Sequence, residues 1–308
     1  MNFNKNFDLN CVRLTSELYQ QKGLSVYLIR ADQIHQQVSG NKWFKLKYAL
    51  DKAQQQQASS VISFGGAFSN HIHALAFAAQ QLNLPAIGYI RGQWSEDNQT
   101  ISDAQRWGMS LHSLSREQYR QKNDAQFLAS LKQQYPGSVI IAEGGSGVDA
   151  LLGVAQLMQM IEAKLTNLDC LVAACGTGGT LAGLLSSAKK TKSILGIPVL
   201  KGASFLVDDI NDLLLSAGSE ANCQWQLDLA GHYGGYGKVK RNHLLAMREL
   251  ELAHDVHLDP VYTAKLWRRF DELVSDDYFA KGSKIALLHS GGLQGRRSYA
   301  LKYPELFS

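Results

Sequence analysis

The segment LDCLVAACGTGGTLAGLLSSAKK, residues 168–190, carries a glycine-rich turn between an apolar run and a stretch of small residues. Leu168–Cys175 has the length and apolar character of a buried strand, and Leu181–Lys190 is typical of a helix. The turn between them is Cys175-Gly176-Thr177-Gly178-Gly179-Thr180. A strand, a short turn and a helix in this order predict one unit of a parallel α/β sheet.

The same alternation of short apolar runs and amphipathic stretches extends over most of the chain from about residue 60. The other predicted strands are Val61–Phe64, Ala86–Ile90, Leu111–Leu114, Val139–Ala142, Ile194–Leu200 and Lys284–His289. The other predicted helices are Asn70–Leu82, Thr100–Trp107, Glu117–Gln134, Val148–Leu165, Asn242–Ala253 and Tyr262–Val274. This pattern indicates an α/β protein with open twisted sheets and helices on both sheet faces.

The length of 308 residues predicts two domains, because single hydrophobic cores stop growing near about 250–300 residues. The break Gly144-Gly145-Ser146-Gly147 separates two runs of strands and helices. We therefore predict a small α/β domain over residues 45–144. Residues 1–44 and 145–308 together form the predicted large domain.

Composition and charge exclude several function classes. The net charge is only +4, and the one lysine-rich segment, residues 189–192, is predicted to be a solvated helix end rather than a nucleic-acid contact. No apolar run has the length of a membrane span, and the polar stretch Met1–Asn10 predicts no signal peptide. The four cysteines (Cys11, Cys170, Cys175, Cys223) lack metal-site spacing and are expected to be reduced, buried thiols. We expect a cytoplasmic protein without nucleic-acid, membrane or metal partners.

The glycine-rich turn Gly176–Thr180 predicts a phosphate site. Glycines let successive backbone N–H groups converge on an anion, and Thr177 and Thr180 add hydroxyl donors. A P-loop is excluded because no Gly-Lys-Ser/Thr follows, and the dinucleotide fingerprint fails because its third glycine falls at Leu181. The turn carries no charge, which favours a monophosphate held by backbone and hydroxyls. The alternative is a turn that only packs its helix closely on the strand.

A second candidate site is Gly40-Asn41-Lys42-Trp43-Phe44. A lysine that forms a Schiff base must be neutral part of the time, which burial among apolar neighbours promotes. Lys42 stands beside the bulky Trp43 and Phe44, whereas Lys45 and Lys47 are expected to face solvent. Taken alone, Lys42 is better explained as an ordinary surface lysine at a helix start, because lysines are rarely buried.

A third candidate, Ser69-Asn70-His71, follows the predicted strand Val61–Phe64. Ser69 or Asn70 can cap the following helix, and both can also face a bound ligand at the mouth of the strand. We interpret His71 as a residue that contacts the site residues rather than the ligand, and His73 as a packing residue.

The fourth candidate site is divided over three segments. Asp259-Pro260-Val261-Tyr262 begins a helix, His289-Ser290-Gly291-Gly292 closes a strand, and Tyr236 lies on a glycine-rich loop. Each tyrosine alone is compatible with a half-buried core residue.

In this order, these motifs resemble those of the fold-type-II enzymes that depend on pyridoxal 5′-phosphate (PLP), whose architecture is like that of the tryptophan synthase β subunit. Gly-Asn-Lys at 40–42, Ser-Asn-His at 69–71, the loop 176–180, and the segments 259–262 and 289–292 are similar to the signatures of the D-cysteine desulfhydrase and 1-aminocyclopropane-1-carboxylate (ACC) deaminase group. The similarity spans about residues 8–300.

The resemblance implies a role for each matching residue. Lys42 would hold PLP as a Schiff base, Asn70 would bind the cofactor's 3′-oxygen, and Tyr262 would lie against the pyridine ring. Ser290 would stand near the pyridine nitrogen, where the family usually has threonine. Ser69 would be a catalytic group, with Tyr236 and Tyr262 lining the site. The phosphate would bind to Gly176, Thr177, Gly178, Gly179 and Thr180. A homodimer is also implied.

Three departures from the family pattern bear on the substrate. ACC deaminases carry a glutamate where this chain has Thr263, which argues against ring opening. Phe44 and the segment Ile72-His73-Ala74 replace polar residues of the relatives. A hydroxyl at the pyridine nitrogen makes the ring a weaker electron sink and favours β-elimination. We expect D-cysteine desulfhydration to pyruvate, ammonia and sulfide, with Lys42 or Ser69 as the base.

Four alternatives stay open at this point. ACC deamination, dehydration or racemisation of a hydroxy amino acid, and a PLP-binding protein without efficient turnover use the same motifs. A nicotinamide-dependent reductase is disfavoured by the failed dinucleotide fingerprint.

Overall fold

The structure, a computed structural model, describes Met1, Phe3, Lys5 and residues 7–307. Asn2, Asn4 and Asn6, which belong to the predicted polar N-terminal stretch, lie outside the described residues, as does Ser308.

Strands and helices alternate along the described chain, as expected of an α/β protein. The strands are β1 Cys11–Leu14, β2 Ser25–Ile29, β3 Val61–Gly66, β4 Ala86–Arg91, β5 Met109–Leu114, β6 Val139–Ile141, β7 Cys170–Cys175, β8 Ser193–Pro198, β9 Gln224–Leu227 and β10 Lys284–Leu288. The helices are α1 Glu17–Gln21, α2 Asn41–Gln55, α3 Asn70–Gln81, α4 Gln99–Arg106, α5 Arg116–Arg120, α6 Ala125–Gln134, α7 Val148–Lys164, α8 Gly179–Leu185, α9 Leu206–Ser216, α10 Arg241–His254, α11 Thr263–Ser275 and α12 Arg296–Lys302.

Two sheets organise these elements. The four-stranded sheet has the order β5-β4-β3-β6 and is parallel throughout. Its central strand β3 is buried on both faces from Val61 to Phe64, which explains its continuous apolar sequence. The strand order reverses beside β3, and this is where ligands bind in open α/β sheets.

The six-stranded sheet has the order β1-β2-β10-β7-β8-β9. Its strands are parallel except for β1, which pairs with β2 in antiparallel orientation at the edge. Three of its strands, β1, β2 and β9, were not predicted from the sequence. Two of them, β1 and β9, are short edge strands with exposed polar residues, so they lack the apolar run by which a central strand is recognised.

Two predicted helices differ in extent from those observed. The helix predicted to end at Lys190 ends at Leu185, because the backbone N–H groups of Lys189, Lys190 and Thr191 donate to the Glu162 carboxylate instead. The helix predicted for 117–134 is interrupted at 121–123, where the Asp124 side chain accepts two N–H groups and begins α6.

Helices α2 and α7 pack directly on each other between the two sheets. Gly153 of α7 allows this contact, because a Cβ there would overlap the Phe44 carbonyl of α2. The prediction that Lys45 and Lys47 face solvent is wrong: both are buried, and Lys47 Nζ donates to Gln156 Oε1 of α7 at 3.1 Å. The short distance between the helices leaves no solvent on that side of α2.

Other sequence-based expectations concern cysteines, membrane spans and domain limits. All four cysteines are free thiols, but only Cys170 and Cys175 are buried, whereas the other two are partly exposed. Of the helices described, none is long and apolar enough to cross a membrane. The division into residues 45–144 and the rest stays a prediction, and α2 runs through the limit at residue 44.

Replacing Gly153 with alanine is expected to destabilise the protein by about 2–3 kcal/mol, the usual cost of inserting a methyl group where the neighbours cannot yield. The neighbour here is backbone, so relaxation requires α2 and α7 to separate. Thermal unfolding measures the change. Gly147→Ala is the matched control, because its backbone is extended and no atom lies within 4 Å of the added Cβ. Equal melting temperatures for the two variants would contradict the proposed packing constraint.

Candidate active site

A cavity of about 580 Å³ opens where the carboxyl ends of strands from both sheets meet. It is lined by Gly66 at the end of β3, Glu143 after β6, Gly176 after β7 and Ser290 after β10. Loops that follow parallel strands gather at this edge, which is the expected place for a ligand.

The structure brings nearly all the predicted site residues to this cavity. Those that line it are Lys42, Ser69, Asn70, Gly176, Thr177, Gly178, Thr180, Tyr236, Tyr262 and Ser290. Gly179 is not among the lining residues, but it belongs to the same loop, and a Cβ there would lie 2.6 Å from Ser146 Oγ.

One side-chain amide connects Lys42 to the glycine-rich loop. Asn41 Oδ1 accepts from Lys42 Nζ at 2.8 Å, and Asn41 Nδ2 donates to Thr180 Oγ1 at 2.9 Å. The two candidate sites of the sequence, the lysine and the loop, therefore belong to one constellation.

The turn that precedes Lys42 requires glycine. Gly40 has a positive φ of 61°, and a Cβ there would overlap the backbone carbonyl of Ser290. The N–H of Asn41 donates to the same carbonyl at 3.2 Å. Because the loop after β10 is in contact with the start of α2, Ser290 and Lys42 lie at the same cavity.

Lys42 has the electrostatic environment of a reactive amine. Burial lowers its pKa to about 8, and the negative charge of Asp259 acts in the opposite direction. A substantial fraction of the side chain is therefore neutral at pH 8, as nucleophilic attack requires.

The phosphate site was expected to carry no charge, but the structure places Lys45 beside it. Its side chain lies one helical turn after Lys42, lines the cavity and donates from Nζ to Ser146 Oγ at 3.0 Å. Ser146 Oγ in turn lies 2.6 Å from Thr177 Oγ1. The ammonium is buried, and among the described residues no carboxylate pairs with it. Burial and the charge of Lys42 hold the pKa of Lys45 well below its usual range.

Ser69 and Asn70 occupy the start of α3. Ser69 is the N-cap, with Oγ accepting from the N–H of Ile72 at 3.3 Å. Asn70 Oδ1 accepts from Gln294 Nε2 at 2.8 Å, so the amide is oriented by the segment that follows β10. Capping by Ser69 was one of the two roles predicted for it, and a ligand at this helix start stays compatible with it.

The two histidines of α3 are buried. Ser63 Oγ donates to the Ile141 carbonyl at 2.6 Å, so it accepts a hydrogen from His71 Nε2 at 2.8 Å. Burial, with the charges of Lys42 and Lys45, holds the pKa of His71 well below its usual range, and the ring is neutral. His73 packs against Trp107 and faces Asp103 at 3.3 Å.

Tyr236 and Tyr262 form an aromatic pair at the cavity wall. Their ring centroids are 6.1 Å apart with an edge-to-face angle of 73°. Gly176 provides room for the Tyr262 ring, since a Cβ there would lie 3.2 Å from its hydroxyl. Burial holds the pKa of Tyr262 well above its usual range, so its hydroxyl stays protonated.

Asp259 is a buried carboxylate beside these groups. It accepts the N–H groups of Val261 and Tyr262 at 2.8–3.1 Å and so fixes the start of α11. Burial raises its pKa to about 7, although these hydrogen bonds and the charge of Lys42 act in the opposite direction.

Sequence reasoning missed three residues of the site: Lys45, Ser146 and Gln294. Lys45 could have been found from its spacing, because residues three apart lie on the same helix face as Lys42. Ser146 lies in the glycine-rich segment 144–147, which was interpreted only as a break between domains. Gln294 gave no signal in the sequence, since its partner Asn70 is 224 residues away.

Comparisons with known proteins identify the family of the chain. Residues 11–291 match the family described as pyridoxal-phosphate dependent enzyme. The chain belongs to this family. It is 28% identical to the bifunctional D-cysteine desulfhydrase/1-aminocyclopropane-1-carboxylate deaminase, mitochondrial, of Arabidopsis thaliana, over 89% of this chain and 73% of that protein. It is 24% identical to the D-cysteine desulfhydrase of Yersinia pestis, over 92% and 91% of the two chains.

The fold comparison gives the same family. A crystal structure of an ACC deaminase homologue superimposes with a TM-score of 0.83 and 26% identity, covering 98% of this chain and 94% of that one. The predicted fold class, that of fold-type-II PLP enzymes, is confirmed, and so is PLP as the cofactor.

The residues of the cavity fit this cofactor. An aldehyde needs an amine of lowered pKa, and Lys42 is such an amine. A phosphate needs donors and positive charge, and the Lys45 amine beside the Thr177 and Ser146 hydroxyls can supply them, because a nearby phosphate would favour its protonated form. Without an anion, the protonated form is buried with a single hydroxyl, which is unfavourable and agrees with its lowered pKa.

Replacing Lys45 with methionine is expected to weaken PLP binding about 10- to 100-fold, the value of one charge-assisted hydrogen bond. Binding of pyridoxal, which lacks the phosphate, is expected to change much less. Absorbance titration of cofactor-free protein measures both affinities. Lys47→Met, another buried lysine on the same helix, is the control and should bind both compounds as the original protein does. Equal weakening for PLP and pyridoxal in Lys45→Met would show that Lys45 does not act on the phosphate.

Proposed function

We propose that this PLP-dependent enzyme is a D-cysteine desulfhydrase, which converts D-cysteine and water to pyruvate, ammonia and sulfide. The observation that carries the proposal is the pair of lysines on the first turns of α2. Lys42, with its pKa near 8, would hold the aldehyde end of PLP, and Lys45 with the loop 176–180 would hold its phosphate. The other cofactor contacts we propose are those of Asn70, Tyr262 and Ser290.

When bound, PLP supplies an electron sink that stabilises negative charge at the Cα of an amino acid. The chain must then supply a base at that carbon. Lys42 Nζ is suited to this, because its amine is neutral for a substantial fraction of the time at pH 8. Ser69 Oγ is the alternative base, but it already accepts a hydrogen bond from the backbone as the cap of α3.

The start of α3 is suited to binding the substrate carboxylate. The N-terminal N–H groups of a helix attract anions, and Ser69 and Asn70 line the cavity at that point. The rings of Tyr236 and Tyr262 also line the cavity and limit its space. This arrangement favours a small amino acid.

Position 263 supports D-cysteine over ACC. The Thr263 side chain is fully buried, and its Oγ1 lies 3.3 Å from His289 Nδ1, so no carboxylate is present where the resemblance puts the ACC deaminase glutamate. Ser290 offers a hydroxyl at the pyridine position, which favours elimination of a good leaving group such as a thiolate. Four of the curated relatives carry the name D-cysteine desulfhydrase, one of them jointly with ACC deaminase, and four others are named putative ACC deaminase, so the relatives support both substrates.

The substrate assignment is tested by measuring pyruvate and ammonia release from D-cysteine, D-serine, L-serine and ACC. We expect kcat/KM for D-cysteine to exceed the others by at least about tenfold, because a thiolate is the best leaving group and binding must also select the configuration. Lys42→Ala is expected to lose activity by about 10³-fold or more, since it removes both cofactor anchor and base. ACC as the preferred substrate, or undiminished turnover by Lys42→Ala with added PLP, would contradict the proposal.

The pKa of Lys42 predicts a pH dependence of cofactor uptake. Because the neutral amine attacks the aldehyde, the rate of PLP uptake by cofactor-free protein should rise with pH and level off above about pH 8. The negative charge of Asp259 raises the pKa of Lys42, so Asp259→Asn should move the midpoint to lower pH. Stopped-flow absorbance measures the rate. A midpoint that stays in place or moves upward in Asp259→Asn would contradict this assignment.

Cytoplasmic location and a homodimer stay predictions. So does the division into a small domain of residues 45–144 and a large domain of the remaining residues, which we propose as the units that enclose the cofactor.

A further inference from the structure

The loop that carries Tyr236, residues 228–237, has an unusual backbone. Tyr233, Gly234, Gly235 and Gly237 all have positive φ, between 45° and 110°. Beyond the short 3-10 turn Leu229–His232 the segment belongs to no helix or strand, and its own backbone hydrogen bonds are short-range, from Gly235 N–H to the His232 carbonyl and from Lys238 N–H to the Gly235 carbonyl. The position of Tyr236 therefore depends also on contacts from outside the loop.

Helix α11 provides these contacts from one face. Arg269 donates to the Asp228 carboxylate at 2.9–3.1 Å, at the beginning of the Tyr236 loop. The Arg268 guanidinium lies 4.2 Å from the centroid of the Tyr233 ring. Lys265 Nζ donates to the carbonyl of His232 at 2.8 Å and to that of Gly235 at 2.7 Å. Residues 265, 268 and 269 share a helix face because of their spacing.

Lys265 is in an unfavourable place for a lysine. It is 0% exposed, and it lies in the first turn of α11, where the helix dipole repels a positive charge. An apolar side chain of similar length would fill the same space without burying an amine. The two hydrogen bonds to the loop are thus what distinguishes lysine from an apolar residue at this position.

The same helical turn also carries Tyr262, three residues before Lys265. Tyr262 stands at the start of α11, and Lys265 of the same helix binds the carbonyls of His232 and Gly235 in the loop that carries Tyr236. Lys265 therefore contributes to the distance between the two tyrosine rings. That distance, 6.1 Å between centroids, defines one wall of the cavity.

We propose that Lys265 is a positioning residue that holds Tyr236 against Tyr262 at the active site. This inference rests on the proposed function for the role of Tyr236 in turnover, but the structural part of it can be tested without a substrate. Lys265 itself is not among the residues that line the cavity, so it acts through the loop.

Hydrogen exchange measures the structural part. In Lys265→Met, the amides of residues 232–238 are expected to exchange about tenfold faster or more, since two hydrogen bonds to the loop are lost. Lys265→Gln, whose amide keeps two N–H donors on a shorter side chain, should give an intermediate rate. Lys47→Met is the matched control, because it removes a buried lysine whose hydrogen bond is to Gln156 of α7 and not to the loop, and loop exchange should stay unchanged. Unchanged loop exchange in Lys265→Met would overturn the proposal.

Kinetics test whether Lys265 acts through Tyr236. Lys265→Met and Tyr236→Phe are each expected to lower kcat/KM for D-cysteine about tenfold, and the double variant should be no worse than the poorer single variant. PLP content should equal that of the original protein in all three. Additive losses in the double variant would overturn the proposal. If the original protein itself does not turn over D-cysteine, the proposed function fails, while the exchange experiment still decides the role of Lys265.

Discussion

The site depends on the start of helix α2, where the partly buried Lys42 and the buried Lys45 lie one turn apart on the same face. Like charges so close are unfavourable in an apolar environment, and the charge of Lys42 contributes to the lowered pKa of Lys45. The arrangement persists because α2 cannot rotate: the Gly153 contact fixes it against α7, and the Gly40 turn fixes its beginning against the loop after β10. Lys42 therefore donates to the side-chain amide of Asn41, and Lys45 donates to the hydroxyl of Ser146. We propose that PLP relieves this repulsion, because its phosphate would neutralise the charge of Lys45.

The sequence predicted the structure best where the residues of a segment determine its conformation without help from distant parts of the chain. The parallel strands Val61–Phe64 and Leu168–Cys175 are buried on both faces and therefore appear as apolar runs, and the Ser69 cap follows from its place before an alanine-rich helix. The edge strand β9 and the burial of Lys47 were missed, because both are decided by neighbours distant in the chain rather than by local pattern. In the same way, the motifs identified the residues of the cavity that follow recognisable local patterns, whereas Gln294 is brought to it by a long-range hydrogen bond to Asn70.

Asp259 connects the cofactor side of the site with the tyrosine side. Its negative charge raises the pKa of Lys42 and that of Lys265, and burial still leaves both near 8. The pKa of Asp259 itself is about 7. Asp259 therefore acts electrostatically both on the lysine at the cavity and on the lysine that binds the Tyr236 loop.

The packing of α2 and α7 between the sheets has a consequence for unfolding. One continuous apolar cluster includes Val61 and Ile72 from the four-stranded sheet and its helices, together with Leu171 and Ala286 from the six-stranded sheet. If either sheet unfolded, the part of this apolar cluster that packs against it would be exposed to solvent. Heat is therefore expected to melt both sheets in a single cooperative transition, and the binding energy of PLP protects the whole chain from denaturation rather than one lobe of it.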